Sequence, residues 1–150
     1  MGYTHYWEQA RDFTDSEWSE LTAVASRAVQ ICGVPLLFEY DQRRPPQIDG
    51  ELIRFNGVDG DGHETFVLTR KKRALKPYET EPEDKEDAAR FNFCKTAAKP
   101  YDTPVVAILI AASDSPAISW SSDGDTGDHD AGRRLLIEAR APVAKAAGNK

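Results

Sequence analysis

Two cysteines, three histidines and one methionine are few for a chain of 150 residues. Cys32 and Cys94 stand far apart without a CxxC spacing, so neither a disulfide framework nor a zinc ribbon is expected, and both are read as reduced thiols. There is no HExxH, and two distant cysteines with three histidines do not make a ready zinc set. The phosphate-loop patterns GxxxxGK[ST] and GxGxxG are missing as well. Long apolar runs are also absent: the longest, Val105 to Ala112, falls far short of the ~20 residues that a membrane helix needs. The start MGYTHYWEQ has no basic stretch and no apolar core of a secretory signal. Tyr6 stands where a myristoylation signal at Gly2 requires Ser or Thr. The expected setting is the cytoplasm. Basic charge is in deficit too, with a net charge of -6 and a pI of about 5.1. That balance argues against a general nucleic-acid binder and leaves room for a small anion held by a few local cations.

What is present predicts one α+β domain over residues 1–140, with a frayed tail over 141–150. The order β-α-β-β-β-α-β-α gives a mostly antiparallel sheet with about three helices packed on it. Gly2 to Trp7 alternates as a strand should. Thr14 followed by Glu17 forms a capping box, with Phe13 and Trp18 at the staple positions. The stripe Trp18, Leu21, Val24, Ala25, Ala28, Val29 and Cys32 is helical, and Gly33 and Pro35 end it. Val34 to Tyr40 reads as a strand and Asp41 to Gly50 as a loop. Glu51 to Asn56 and His63 to Arg70 form a hairpin around an Asp-Gly turn. Lys71 to Arg90, a basic run followed by an acidic one, reads as a solvated excursion. Thr103 and Pro104 suit the N-cap and first position of a helix. Val105 to Ala112 is apolar all round, and helix is favoured over strand there. Ala117 to Ser122 is a strand, Asp123 to Asp130 an acidic loop, and Gly132 to Arg140 a helix.

The densest run of functional groups is FNFCKTAAKPYD, Phe91 to Asp102. Lys95 and Lys99 can neutralise phosphate, and Arg54 offers a planar fork for the same purpose. Thr96, Asn56 and Tyr101 can donate hydrogen bonds. Tyr3, Trp7 and Phe93 can stack a base. His5, His63, Tyr101 and Asp102 are candidates for base or ribose contacts. Phe91 and Phe93 look like anchors on a strand, with Cys94 packed inward. A catalytic alternative uses Cys94 as nucleophile, which needs a base to form thiolate, or His63, whose His63-Glu64-Thr65 matches one half of a two-histidine phosphodiesterase pattern. The second half is missing. The acidic segment SSDGDTGDHDAG fails the EF-hand spacing from either start, so no metal site is expected. No motif calls for a cofactor.

Four blocks, MGYTHYW, NG...DGHETF, FNFCKTAAKPYD and SSDGD, resemble in the same order one family of small phage and bacterial proteins without an established activity. The resemblance covers most of the chain and thins over Asp41 to Gly50 and Lys71 to Arg90. It implies a phage or prophage setting, and a shared site built from those blocks that adds Asp123 to the candidates. In that setting three readings stand open. The first is a binder that sequesters a nucleotide-like immune signal, a cyclic dinucleotide or ADP-ribose derivative, in the host cytoplasm. The second is a phosphodiesterase or hydrolase that degrades such a signal, and the third is an inhibitor that binds a host protein. The oligomeric state is open, a homo-oligomer included.

Overall fold

A computed structural model describes residues 3–39, 42–81 and 87–141. The fold is α+β, and the described residues form two antiparallel sheets and three α-helices. In order these are β1 (Thr4–Gln9), α1 (Asp15–Ile31), β2 (Leu36–Leu37), β3 (Gln47–Ile48), β4 (Leu52–Gly57), β5 (Phe66–Thr69), β6 (Arg90–Lys95), α2 (Asp102–Ala112), β7 (Ile118–Ser122) and α3 (Asp130–Arg140). Among the described residues no helix is long and apolar enough to cross a membrane.

The first sheet runs β6-β1-β7, with the N-terminal strand in the centre. Its register pairs His5 with Cys94 on one side and with Ser122 on the other. Tyr6 likewise pairs with Phe93 and with Ser121. Because side chains alternate along a strand, His5, Trp7 and Gln9 face inward and are buried, while Tyr6 and Glu8 face out. In the second sheet β4 pairs with β2, β3 and β5. Two clamps join the sheets. The buried Gln9 amide donates to the carbonyls of Thr69 (3.2 Å) and Arg70 (3.0 Å) past the end of β5. At the other end, the Glu64 N–H donates to Lys95 O (3.2 Å), and the Lys95 N–H donates to the Glu64 carboxylate (2.7 Å).

Helix α1 starts as its sequence predicts. Thr14 and Glu17 form the reciprocal capping box, and the Phe13 and Trp18 rings lie 5.3 Å apart. Gly33, with φ at 74°, supplies the left-handed residue that lets the chain leave the helix. Helix α2 is the apolar run, buried from Pro104 to Leu109 and again at Ala111 and Ala112. It packs against α1, α3 and β7. Gly132 permits the α2–α3 approach: a Cβ there would lie 2.4 Å from Val106 Cγ1.

Several boundaries differ from expectation. Strand β1 continues past Trp7 to Gln9, and Gly2 lies outside the described residues. The strand expected over Val34 to Tyr40 shrinks to Leu36–Leu37. Phe38 N–H donates to Arg44 O (2.7 Å) and Glu39 bridges Gln42, so the chain folds back on itself there; Tyr40 lies outside the described residues. The expected loop before Gly50 contains β3, because the Asp49 carboxylate accepts the N–H groups of Glu51 and Leu52 and turns β3 onto β4. The strand expected at Phe91 and Phe93 is β6, which the expected element order leaves out. Helix α2 begins at Asp102 with Tyr101 as N-cap and no side-chain cap, so Thr103 does not serve as one. Helix α3 begins two residues before Gly132, after a 3-10 turn at Gly127–His129.

The excursion after Arg70 holds no helix or strand among its described residues before Arg90, yet it is strapped to the body. Arg73 pairs with Glu79 (2.8 Å) and donates to Phe91 O (3.0 Å). Buried Arg90 donates back to Arg73 O (3.0 Å). Residues 142–150, expected as a tail, lie outside the described residues.

The Gly132–Val106 contact is testable by a double-mutant cycle in urea. Gly132→Ala overpacks the crossing, and Val106→Ala opens room for the added methyl. The pair should be less destabilising than the sum of the singles, by about 0.5–3 kcal/mol. Additive effects would mean that the helices do not meet at this point.

Candidate functional site

Three sequence blocks that lie far apart in the chain meet at one end of the first sheet. The start of β1 brings Tyr3 and His5. The turn from β6 into α2 brings Thr96, Lys99 and Asp102. The end of β7 brings Ser122, Asp123 and Gly124, and the turn before α3 adds His129.

Asp102 organises this end. Its Oδ1 accepts the Thr96 hydroxyl (2.6 Å) and His5 Nε2–H (2.6 Å). It is the first residue of α2, where the helix N-terminus favours negative charge. His5 and Thr96 are fully buried, so each needs a partner inside, and Asp102 serves both. With Nε2 committed to the carboxylate, His5 Nδ1 is left buried with no hydrogen-bond partner. Around the ring stand Tyr3, edge-on at 5.3 Å, Trp120 at 5.6 Å and His129 at 6.0 Å between ring centroids.

His129 Nε2 lies 3.2 Å from Ser122 Oγ. The same oxygen accepts Gly124 N–H (3.0 Å), and its proton is free to turn toward a His129 Nε2 that carries no hydrogen. Burial and the neighbouring His5 lower the His129 pKa below its usual value, so the ring is held neutral at pH 7. The Tyr3 hydroxyl is buried on Gly124, where a Cβ would lie 2.4 Å from it, with the Ser122 side chain as its hydrogen-bonding neighbour in imperfect geometry. Burial, with the field of Asp102 behind it, pushes the phenol pKa up to about 12, so Tyr3 stays a donor.

The connecting turn is strained. Ala97 and Ala98 have φ of 54° and 56°, a left-handed region costing roughly 1–2 kcal/mol per residue with a Cβ. Tyr3 O holds the turn by accepting the N–H groups of both Thr96 and Ala97 (3.2 Å each). Asp123 is also structural in part, accepting Thr4 N–H (3.0 Å) and the Tyr6 hydroxyl (3.1 Å).

The remaining candidates lie elsewhere. Asn56, fully buried, closes the Gly57–His63 loop: its amide donates to His63 O (2.8 Å) and accepts His63 N–H (3.1 Å). His63 itself is exposed on that loop, outside the His5 cluster. Arg54 is spent on the second sheet, paired with Glu39 and lying 4.4 Å over the Phe38 ring. Trp7 is core, packed on Phe66 at 5.6 Å. Tyr101 is fully buried and donates to Glu64 O. Cys94 packs beside it, and burial followed by the charge of Glu64 pushes its thiol up to about 12, away from thiolate chemistry.

The outer face of the same sheet differs in kind. Phe91, Phe93 and Lys95 follow one another at every second position of β6 and share that face. Phe91 is 48% and Phe93 56% exposed. Tyr6 stacks on Phe91 at 6.0 Å, and Phe91 meets Phe93 at 6.0 Å. Tyr78, at 73%, is the most exposed large hydrophobic side chain among the described residues, and it lines a shallow groove with Phe91, Phe93 and Lys76.

Sequence reasoning passed over His129 and Trp120 as site residues, and Ser122 entered only through the SSDGD block of the resemblance. His129 sits in an acidic turn without a recognisable spacing. The period-two alternation of Trp120 and Ser122 with the known strand was the available signal. No family model, curated protein or solved structure matches this chain.

Alkylation separates the two thiols. In the native protein at pH 8, iodoacetamide followed by peptide mapping should modify half-buried Cys32 and spare Cys94. Cys94 should react only after denaturation. Native labelling at Cys94 as fast as at Cys32 would show an open, activated thiol.

Proposed function

We propose that the chain is a small-molecule binding protein that takes a nucleotide-like, phosphate-bearing ligand and holds it without cleaving it. The observation that carries this reading is the outward row Phe91, Phe93 and Lys95 with Tyr6 beside it, aromatic faces and a cation on one uncovered sheet surface. Base stacking on exposed aromatics contributes about 1–3 kcal/mol per base and does not depend on base identity. Lys95 supplies phosphate neutralisation at the end of the row, and Lys99 follows in the adjoining turn. The net charge of -6 fits a discrete anionic ligand better than a long nucleic acid, whose binding rests on many cations. The resemblance to a phage and bacterial family supports a host immune signal as the ligand: a cyclic dinucleotide or an ADP-ribose derivative, sequestered in the host cytoplasm.

Degradation of such a signal is the second reading: Ser122–His129 beside the His5–Asp102 pair is a nucleophile–base contact, although the carboxylates around it oppose the entry of a phosphate ester. The exposure of His63 outside the cluster and the hold on Cys94 as a thiol speak against either as its catalytic group.

Purified protein is incubated with cyclic dinucleotides and cyclic ADP-ribose species, freed of unbound ligand, heat-denatured and analysed by mass spectrometry. Intact ligand is expected in the released fraction. Lys95→Ala with Lys99→Ala should abolish retention, and Phe93→Ala should weaken it about 5- to 150-fold, the equivalent of one lost stack. Altered product in place of intact ligand would transfer the function to the second reading. Neither retention nor product across the panel would sink both and leave a protein partner.

A further inference from the structure

From the Ser122–His129 hydrogen bond, with the unpartnered Tyr3 hydroxyl and His5 Nδ1 beside it, we infer that this inner cluster is an acyl-transfer site. Its substrate class is small carboxylic esters that carry no negative charge. The site is on the opposite face of the sheet from the aromatic row and does not depend on the ligand proposed for that row.

Each part has a chemical role fixed by its contacts. Ser122 is half-buried, Gly124 N–H donates to its Oγ, and His129 Nε2 lies 3.2 Å from that oxygen, within reach of the hydroxyl proton. A nucleophile within hydrogen-bond reach of a neutral imidazole is the arrangement that lets serine attack. Ser122 Oγ adds to the ester carbonyl as its proton passes to His129 Nε2. The carbonyl oxygen becomes an oxyanion, and the buried Tyr3 hydroxyl beside Ser122, which holds no well-formed hydrogen bond, donates to it. Collapse of the adduct breaks the acyl–oxygen bond, and His129 returns the proton to the leaving alkoxide, which departs as alcohol. Water then adds to the acyl-serine, losing its proton to His129, and release of the carboxylic acid restores Ser122.

The charge around the cluster selects the substrate. Asp102, Asp125 and Asp128 all act on Tyr3. Asp102 and Asp128 also act on His129, opposed by His5 and by Arg133, which is paired with Asp130 (2.5 Å). A phosphate ester would enter against that field, whereas a neutral or cationic ester would not. Trp120, with its ring centroid 5.1 Å from His129, supplies an apolar wall for an acyl group.

Two probes test this on the whole protein: a fluorophosphonate, read by intact mass and peptide mapping, and p-nitrophenyl acetate hydrolysis. The wild type is expected to gain one adduct, mapped to Ser122, and to turn over the ester. Ser122→Ala should lose the adduct and the turnover. His129→Gln should slow both by about 10²- to 10⁴-fold, the range for removing a general base. Ser119→Ala, on the exposed face of the same strand, should match the wild type. Because Ser122→Ala removes the acceptor for Gly124 N–H, its fold is checked by circular dichroism, and the adduct map on unmutated protein decides the case independently. No adduct and no hydrolysis in the wild type would overturn the inference. So would an adduct on another residue, or turnover that survives Ser122→Ala.

Discussion

Everything in this fold answers to one constraint: α2 has no polar face. A helix buried from Pro104 through Leu109 must be enclosed on all sides. Helices α1 and α3 cover two of them, with β7 also in contact, and residue 132 must be glycine-sized for α3 to come close enough. Enclosure leaves one polar problem, at the N-terminus of the helix. Asp102 sits at that end between buried His5 of β1 and buried Thr96 of the turn, and an inward carboxylate needs donors. His5 and Thr96 supply them at 2.6 Å each. The candidate site thus arises where the apolar core stops.

The central place of β1 follows from the same packing. Its inward row of His5, Trp7 and Gln9 serves three purposes in succession: partner to Asp102, aromatic core against Phe66, and amide clamp to the second sheet. Its outward row carries Tyr6 and Glu8 beside Phe91 and Phe93. A one-residue register slip would exchange those rows and place His5 in solvent. The Gln9 and Glu64 clamps at the two ends oppose such a slip, since each fixes a particular residue opposite a particular carbonyl or amide.

How much of this the sequence disclosed depended on whether the signal was local. The capping box at Thr14 and the apolar run of α2 are local, and both structures appear where their residues predict. The α+β class follows from the same element pattern. Short strands such as β2 and β3 were not legible, because two paired residues have no period of their own and exist only through β4. The site was legible in part. FNFCKTAAKPYD marked the turn that carries Thr96 and Asp102, but the pairing of His5 with Asp102 spans 97 positions, and nothing local announces it. Asn56, Arg54 and Tyr101 show the converse limit. A polar side chain near a motif can equally be holding a loop, an ion pair or a carbonyl, and only packing tells which.

The two faces of the first sheet impose opposite electrostatic demands, and this bears on how one small domain could serve both. On β6 the outward Lys95 belongs to a row of half-exposed aromatic rings. Across the sheet the inward groups answer to Asp102, Asp125 and Asp128, with Trp120 and the two imidazoles between. An anion at Lys95 would meet carboxylates on the way inward to Ser122. The left-handed turn at Ala97 and Ala98 marks the border. It reverses the chain between Lys95, which belongs to the outer row, and Asp102, which belongs to the inner cluster, and Tyr3 O pins it from the central strand. A strained turn held in this way fixes the cation and the carboxylate relative to each other, so the separation of charge across the sheet is a property of the backbone and does not depend on a bound ligand.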